Sequence, residues 1–285
     1  MRKAETIAAL LQEARNALRD ADIELSALDA RLLLQAASAL THEQVIAEPN
    51  MVLPADKISR FKSFIDRRLQ HEPVTRVLGV REFYGRLFQV SPAVLDPRAD
   101  TETIIELTLQ RMGQEPMRIL DLGTGSGAIA ITLLAERPNW SGIAADLSSD
   151  ALEIAKANST ALGVAGRLAF HNGTWFDGIS EKFDLIVSNP PYIPHSDIFV
   201  LSLEVQNFDP HLALNGGGDG LEAYRAIAAG SAKYLNSKGL VILEIGAGQG
   251  ADVTQIFINQ GFELTEQKSD LGGHVRALAF KLTHL

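Results

Sequence analysis

Apolar positions in the first seventy residues recur at helical rather than strand spacing. Between Ala4 and Asp20 the residues Ile7, Leu10, Leu11, Ala14 and Leu18 share one face, which predicts an amphipathic helix. Ser26 followed by Asp29 has the polar-then-acidic spacing of a capping box and opens a second helical run, ALDARLLLQAASAL. Thr41 and Gln44 repeat that signature for a short third helix. Pro54 begins a fourth, ADKISRFKSFIDRRLQH, at a position where a missing N–H is harmless. These runs predict a small helical bundle with its own core over residues 1–72.

The texture changes at Glu72-Pro73. The segment VLGVREFYGRLFQVSPAVLDP is rich in Val, Leu, Phe and Tyr, with Gly85 between two short β-prone runs. This predicts a β-hairpin linker over residues 73–97. From residue 98 to 285 helical patterns alternate with short apolar runs: RILDL, SGIAAD, RLAFH, FDLIVS, GLVILEI, FELTEQ and VRALAF. Such alternation predicts an α/β domain, a mostly parallel sheet with helices on both faces. The loop SDLGGH is too short for a crossover helix, so the last two runs are expected to pair antiparallel at one edge.

Composition narrows the picture. The chain has 285 residues, 46% apolar and 21% charged, the balance of a folded globular protein. No apolar run approaches the ~18 residues of a membrane span. The N-terminal MRKAETIAALLQEARNALRD is charged throughout and lacks the apolar stretch of a signal peptide. With no cysteine there is no disulfide framework, thiolate metal site or cysteine nucleophile. A cytoplasmic protein with no membrane partner and no metal is expected. The net charge of −9 and pI near 5.3 weigh against a nucleic-acid substrate, whose phosphates call for a basic footprint.

The run RILDL leads directly into Gly123-Thr124-Gly125-Ser126-Gly127 and then the helical AIAITLLAE. Glycines let a ligand approach the main chain, and the helix start offers free N–H groups. Asp146 ends the next strand, SGIAAD, where an acid accepts hydrogen bonds from ribose hydroxyls. The loop has neither the lysine of a triphosphate site nor the G-x-G-x-x-G of a dinucleotide site. Asp121 just before it suits a cationic, amino-acid-bearing nucleoside, S-adenosylmethionine. The second cluster, Gly246 to Gly250, is read as a tight strand-to-helix turn, and the run Asn215 to Gly220 as a flexible turn into a helix.

FDLIVS ends in Asn189-Pro190-Pro191-Tyr192. Two prolines past a strand end stiffen the backbone and present Asn189 at the carboxyl edge of the sheet, where ligands bind in open α/β folds. The Asn189 side-chain oxygen and the Pro190 carbonyl can each accept an N–H from an exocyclic –NH₂ group. They would aim its weakly nucleophilic lone pair at a sulfonium methyl, with Tyr192 packing on the planar group. No carboxylate dyad or histidine demands a role.

The chain resembles the N5-glutamine methyltransferases of peptide-chain release factors (the HemK or PrmC family). The resemblance rests on EPVTRVLGVREFYGRLFQV, VLDPRADTE, DLGTGSGAIA, ADLSSDALEIAKAN, FDLIVSNPPYI, FDPHLALNGGGDGLEAYR and LEIGAGQG. It implies a class I S-adenosylmethionine-dependent methyltransferase domain, a Rossmann-like seven-stranded sheet, with a small N-terminal helical-bundle domain that docks the substrate. The substrate would be the glutamine amide of the Gly-Gly-Gln motif in class-one release factors, and the product S-adenosylhomocysteine. Gly123 to Gly127 would line the cofactor, Asp146 hold its ribose and Trp175 lie along its adenine. Asn189 would touch cofactor and substrate, and Asn189 to Tyr192 would clasp the glutamine; Arg98, Thr101 and Glu102 would border the pocket. The chain departs from the family at Thr75-Arg76-Val77-Leu78-Gly79 and at Ala99, outside the cofactor loop.

Two rivals remain. A DNA or RNA adenine N6-methyltransferase needs the same acceptors for its –NH₂ group, but also a base-flipping grip on phosphates. A catalytically silent S-adenosylmethionine-binding module would have no use for an amine acceptor. Nothing in the sequence asks for more than a monomer.

Overall fold

A computed structural model describes residues 5–283. Ala4, the start of the first expected helix, lies outside that range. In chain order the first helices are α1 (Ile7–Asp20), α2 (Ser26–Ser38), α3 (His42–Ala47), α4 (Ala55–Arg68) and α5 (Val74–Leu78). They are followed by α6 (Glu102–Arg111), α7 (Ala128–Glu136), α8 (Ser149–Ala161), α9 (Leu203–Phe208), α10 (His211–Leu214), α11 (Glu222–Tyr234) and α12 (Gly250–Ile258). The early strands are β1 (Val80–Phe83), β2 (Arg86–Gln89), β3 (Arg118–Leu122), β4 (Ser141–Asp146) and β5 (Leu168–Asn172). The later ones are β6 (Phe183–Ser188), β7 (Leu235–Glu244), β8 (Phe262–Ser269) and β9 (Val275–Leu282). None of the described helices is long and apolar enough to cross a membrane.

The chain forms two compact units, one of residues 1–79 with 202–208 and one of residues 80–201 with 209–285. The helical unit extends past residue 72. Pro73 caps the N-terminus of α5 and Gly79, at φ +73°, ends it, so residues 74–78 continue the helices rather than open a hairpin. The predicted stripe of α1 is inward: Ile7, Leu10, Ala14 and Leu18 are buried with Leu33, Leu34, Phe61 and Ile65, while Leu11 is half-buried. Thr41 makes the expected reciprocal capping box, accepting from Gln44 N at 3.3 Å while Gln44 Oε1 accepts from Thr41 N at 2.9 Å. The Ser26 box does not form. Helix α2 has Leu25 at its cap with no side-chain hydrogen bond, because Asp29 is buried and accepts from Arg68 Nε at 2.8 Å. The same guanidinium donates from Nη2 to Glu204 on α9 at 2.5 Å.

In the second unit β1 and β2 form the expected antiparallel hairpin. Tyr84 and Gly85 at its tip both have positive φ, as a two-residue primed turn requires. The main sheet has seven strands in the order β5-β4-β3-β6-β7-β9-β8. β3, β4, β5, β6 and β7 run parallel; β9 is antiparallel to β7 and to the edge strand β8, as the short loop between them predicted. Successive residues of each central strand feed opposite cores, as side-chain alternation dictates. Ile119, Leu185 and Ile242 meet α6 and α7 on one face, whereas Leu120, Ile186 and Val241 meet α11 and α12 on the other. Burial on both faces explains why these strands read as near-continuous apolar runs. The sheet grows outward from β3 to β5, then returns to place β6 on the other side of β3. That reversal is the switch point where open α/β sheets bind ligands.

Candidate functional site

Both loops singled out in the sequence leave the sheet at this switch point. Ser188 Oγ, at the end of β6, donates to Leu122 O at 2.6 Å and holds the two strand ends together. Asp121, near the end of β3, is fully buried and acts inside the loop. Its Oδ2 accepts from Thr124 Oγ1 at 2.6 Å and Ala130 N at 3.2 Å, and its Oδ1 has no partner among the described residues. Burial pushes this carboxyl up to about 7, against those two hydrogen bonds and with help from the nearby Asp146 charge. Asp121 does not line the cavity, so its expected part as a ligand neighbour is replaced by that of a loop anchor. Gly127, at φ +82°, caps α7, and a Cβ there would lie 2.5 Å from Ile131 Cδ1.

A cavity of about 410 Å³ opens over these strand ends. Gly123, Thr124, Gly125, Ser126, Asp146, Trp175, Asn189 and Pro191 line it, together with Arg98 and Thr101. Gly127, Pro190, Tyr192 and Glu102 do not. Pro190 is buried behind Asn189, and Glu102 Oε1 instead accepts from Tyr84 N at 2.8 Å in the hairpin turn. Asp146 Oδ2 accepts from Gly125 N at 2.8 Å and Oδ1 from Ser148 N at 2.9 Å. Each oxygen keeps a further lone pair for a ligand hydroxyl. Trp175 holds φ +50°, a conformation rare for a bulky residue, and packs beside the α11–α12 core while its flank faces the cavity.

On the β6 side, Asn189 Nδ2 donates to Thr101 Oγ1 at 3.1 Å. Tyr192 turns away from the cavity and packs on the α11–α12 core. Burial, with Glu244 and Asp100 nearby, pushes its phenol up to about 12, so it stays protonated at ordinary pH. Both glycine runs read as simple turns close around this tyrosine. Gly220 lies so near that a Cβ would fall 2.4 Å from Tyr192 O, and Ile193 N donates to Leu214 O at 3.0 Å while Gly216 N donates to Ile193 O at 2.8 Å. The run Asn215 to Gly220 is therefore tied to the Asn-Pro-Pro-Tyr segment, which replaces the flexible turn expected from its glycines.

Arg98 Nη2 donates to Asp209 Oδ2 at 2.6 Å. Glu244, not singled out in the sequence, is 1% exposed at the end of β7. Burial pushes its carboxyl up to about 7, opposed by hydrogen bonding from Thr101 and Asn189 and by the Arg276 charge, while Asp100 raises it further. The signal was there: GLVILEI carries a lone acid at the end of an otherwise apolar run, as RILDL and SGIAAD do.

The family described as PrmC N-terminal domain matches residues 9–79, and the one described as methyltransferase small domain matches residues 98–207. A release factor glutamine methyltransferase of Bradyrhizobium diazoefficiens is 44% identical over 268 residues, covering 92% of this chain and 90% of that protein. The chain belongs to the release factor glutamine methyltransferase family. It also matches a bifunctional methyltransferase of Rickettsia typhi, 39% identical over 293 residues; 96% of this chain is covered, but it spans only 57% of that relative's length. A methyltransferase structure from Pyrococcus furiosus superposes with a TM-score of 0.52 at 18% identity, over 70% of this chain and 89% of the other, and shows the shared fold.

The fold is that of a class I S-adenosylmethionine-dependent methyltransferase, and the cavity fits that cofactor. Asp96, Asp146 and Asp150 line it, whereas its one cationic lining side chain, Arg98, is paired with Asp209. An acidic wall without free cations suits a positive, phosphate-free nucleoside. At Gly123 and Gly125 nothing lies within 4 Å of where a Cβ would stand, so the loop backbone is open to the ligand.

Proposed function

We propose that the protein transfers a methyl group from S-adenosylmethionine to the side-chain amide nitrogen of the glutamine in the Gly-Gly-Gln motif of a class-one release factor. It would act in the cytoplasm, where release factors work, as a monomer, with the helical unit docking the substrate protein. The observation that carries this reading is Asn189 at the cavity wall, its amide nitrogen committed to Thr101 and its oxygen left for a donor.

S-adenosylmethionine supplies, when bound, a methyl group on a positive sulfur that departs as S-adenosylhomocysteine. Gly123, Thr124, Gly125 and Ser126 would wrap its amino-acid portion, with Gly127 turning the loop into α7 behind them; Asp146 would accept from the ribose hydroxyls and Trp175 flank the adenine. Asn189 Oδ1 and the Pro190 carbonyl would accept the two N–H bonds of the glutamine amide. Pro190 lacks the freedom to swing that carbonyl away, and Pro191 stiffens the next step. Tyr192 supports the segment from behind through the core. Held in this way, the nitrogen lone pair points at the methyl carbon, and alignment of this kind reaches effective molarities of about 10⁵ M or more. The quaternised nitrogen then releases its proton to solvent.

The test is transfer of labelled methyl to purified, unmodified release factor, beside a Gln→Asn variant of its Gly-Gly-Gln motif. Label on the normal factor alone, abolished by Asn189→Ala, supports the reading. Transfer to adenine in DNA or RNA instead, or cofactor binding without any transfer, overturns it.

A further inference from the structure

Trp175 adopts a backbone conformation that its bulk opposes. A tryptophan at φ +50° is an outlier, and such a residue persists only where its surroundings hold it. Within the turn after β5, Asp177 N donates to Thr174 O at 3.0 Å. An ordinary type I turn keeps that bond with both central residues at negative φ, so the bond does not account for Trp175. Contacts outside those four residues must. Asp146 O accepts from Gly173 N at 3.1 Å and from Asn172 Nδ2 at 3.0 Å, which hangs the turn from the end of β4. Phe176 is buried and stacks on Tyr234 with ring centroids 4.9 Å apart. It lies so close to Gly230 of α11 that a Cβ there would fall 2.3 Å from its ring. The return of the turn is held by His171, on β5. A Cβ on Gly173 would stand 2.9 Å from His171 Nε2, and one on Gly178 2.8 Å from Cε1, so the turn folds around the imidazole. Nε2 lies 2.6 Å from Asp177 O. A carbonyl oxygen only accepts, so Nε2 carries the hydrogen and donates it.

We infer that His171 is a positioning residue for the cofactor: its imidazole, donating to Asp177 O, closes the turn over residues 173–178 and holds Trp175 against the cavity. The inference rests on the reading of Trp175 as the adenine flank given above. Gly173, Thr174 and Trp175 line the cavity, so the turn that the imidazole closes is itself part of the wall. The two glycines leave the space that the ring fills, and the ring supplies the donor that fixes where Asp177 returns. With that donor gone, Asp177 O has water as a partner, and the turn is free to relax Trp175 to a negative φ.

His171→Leu keeps bulk and removes the donor, whereas His171→Gln returns an N–H at a similar reach. His171 is half-buried, so both variants keep the fold. The chain has two tryptophans and Trp140 is fully buried, so acrylamide quenching of fluorescence reports on Trp175. In the ligand-free protein quenching should change in His171→Leu and return toward the wild type in His171→Gln. Calorimetric affinity for S-adenosylhomocysteine should fall about threefold to tenfold in His171→Leu, the range of one net hydrogen bond. KM for S-adenosylmethionine should rise with it, and kcat at saturation should hold. In a Trp175→Ala background His171→Leu should cost no further affinity, because the residue it holds is gone. Wild-type quenching and affinity in His171→Leu, or its full loss repeated on top of Trp175→Ala, would overturn the inference. Wild-type affinity in Trp175→Ala alone defeats the adenine assignment instead, and the quenching of His171→Leu still tests the brace.

Discussion

Gln249 Nε2 donates to the backbone oxygen of Tyr192 at 3.0 Å. The same side chain accepts from Gly246 N at 3.0 Å and from the Tyr224 hydroxyl at 3.4 Å. The turn after β7 is thereby fastened to the Asn-Pro-Pro-Tyr segment after β6. Proline stiffens that segment locally; the Gln249 bonds tie it to the β7 side, and the Ser188–Leu122 bond ties its strand to the end of β3 where the cofactor loop begins.

Gln249→Leu keeps the bulk and removes all these partners. Buried polar groups left unpaired cost roughly 1–3 kcal/mol. The variant should lose stability of that order in denaturant unfolding, and its kcat should fall while S-adenosylhomocysteine binding persists. A variant with wild-type kcat would show that Gln249 does no more than close the turn.

Gly220 offers a sharper contrast. Its φ of +75° and the 2.4 Å approach of an added Cβ to Tyr192 O leave no room for Gly220→Ala without moving the tyrosine backbone. Gly218, two residues earlier, has nothing within 4 Å of an added Cβ. Gly220→Ala should lower both melting temperature and methyl transfer, whereas Gly218→Ala should change neither. Equal behaviour of the two variants would mean that the loop yields freely.

The parts of the site legible in the sequence are those where one short stretch carries the whole signal. Gly123 to Gly127 follow an apolar strand, Asp146 ends the next, and Asn189 leads two prolines. The strand alternation behind the fold was legible for the same reason. Gln249 was not, because Tyr192 and Tyr224 lie far from it in sequence and reach it only in the folded sheet; Thr101 was reached through the family resemblance alone, and Glu244 showed only as a lone acid in an apolar run. Local rules also misled where a tertiary partner won: Asp29 had the spacing of a cap, but Arg68 claims its carboxylate. Pro73 marked a helix start rather than the edge of a linker. The Gly-rich run from Asn215 is loop-like in composition, yet its lack of side chains is what lets it close on Tyr192.

Asp146 supplies the acidic end of β4, and its loss has a direct readout. Asp146→Asn replaces one acceptor oxygen with a donor and removes the charge, weakening hydrogen bonds to ribose hydroxyls that are worth about 1.5–3 kcal/mol each when charge-assisted. Calorimetry should show S-adenosylhomocysteine affinity reduced about tenfold to a hundredfold. Unchanged affinity would remove Asp146 from the cofactor site and leave it as a brace for Gly125 and Ser148.

Asp121 and Glu244 also make an unusual prediction for stability against pH. Burial raises both carboxyls to about 7, from ordinary values of 3.8 and 4.5. Between those limits the folded protein holds protons that the unfolded chain has released. Where the folded state binds more protons, stability falls as pH rises. The groups facing them set the size of the effect: Asp146 adds to the rise of Asp121, Asp100 to that of Glu244, and Arg276 opposes the latter. Carboxylates with lowered values act at the acid end, where Glu181 beside Arg118 and Asp219 beside Arg225 lose their contribution as pH falls. Asp219 is wholly exposed, so its share is small. The ligand-free protein should therefore be most stable near pH 5 and weaken toward about pH 7, as followed by urea midpoints across that range. Asp121→Asn and Glu244→Gln should each flatten the decline, because an amide has no proton to release. A wild-type midpoint that climbs from pH 5 to pH 7, or slopes unchanged in both variants, would mean that these acids are ionised in the folded state.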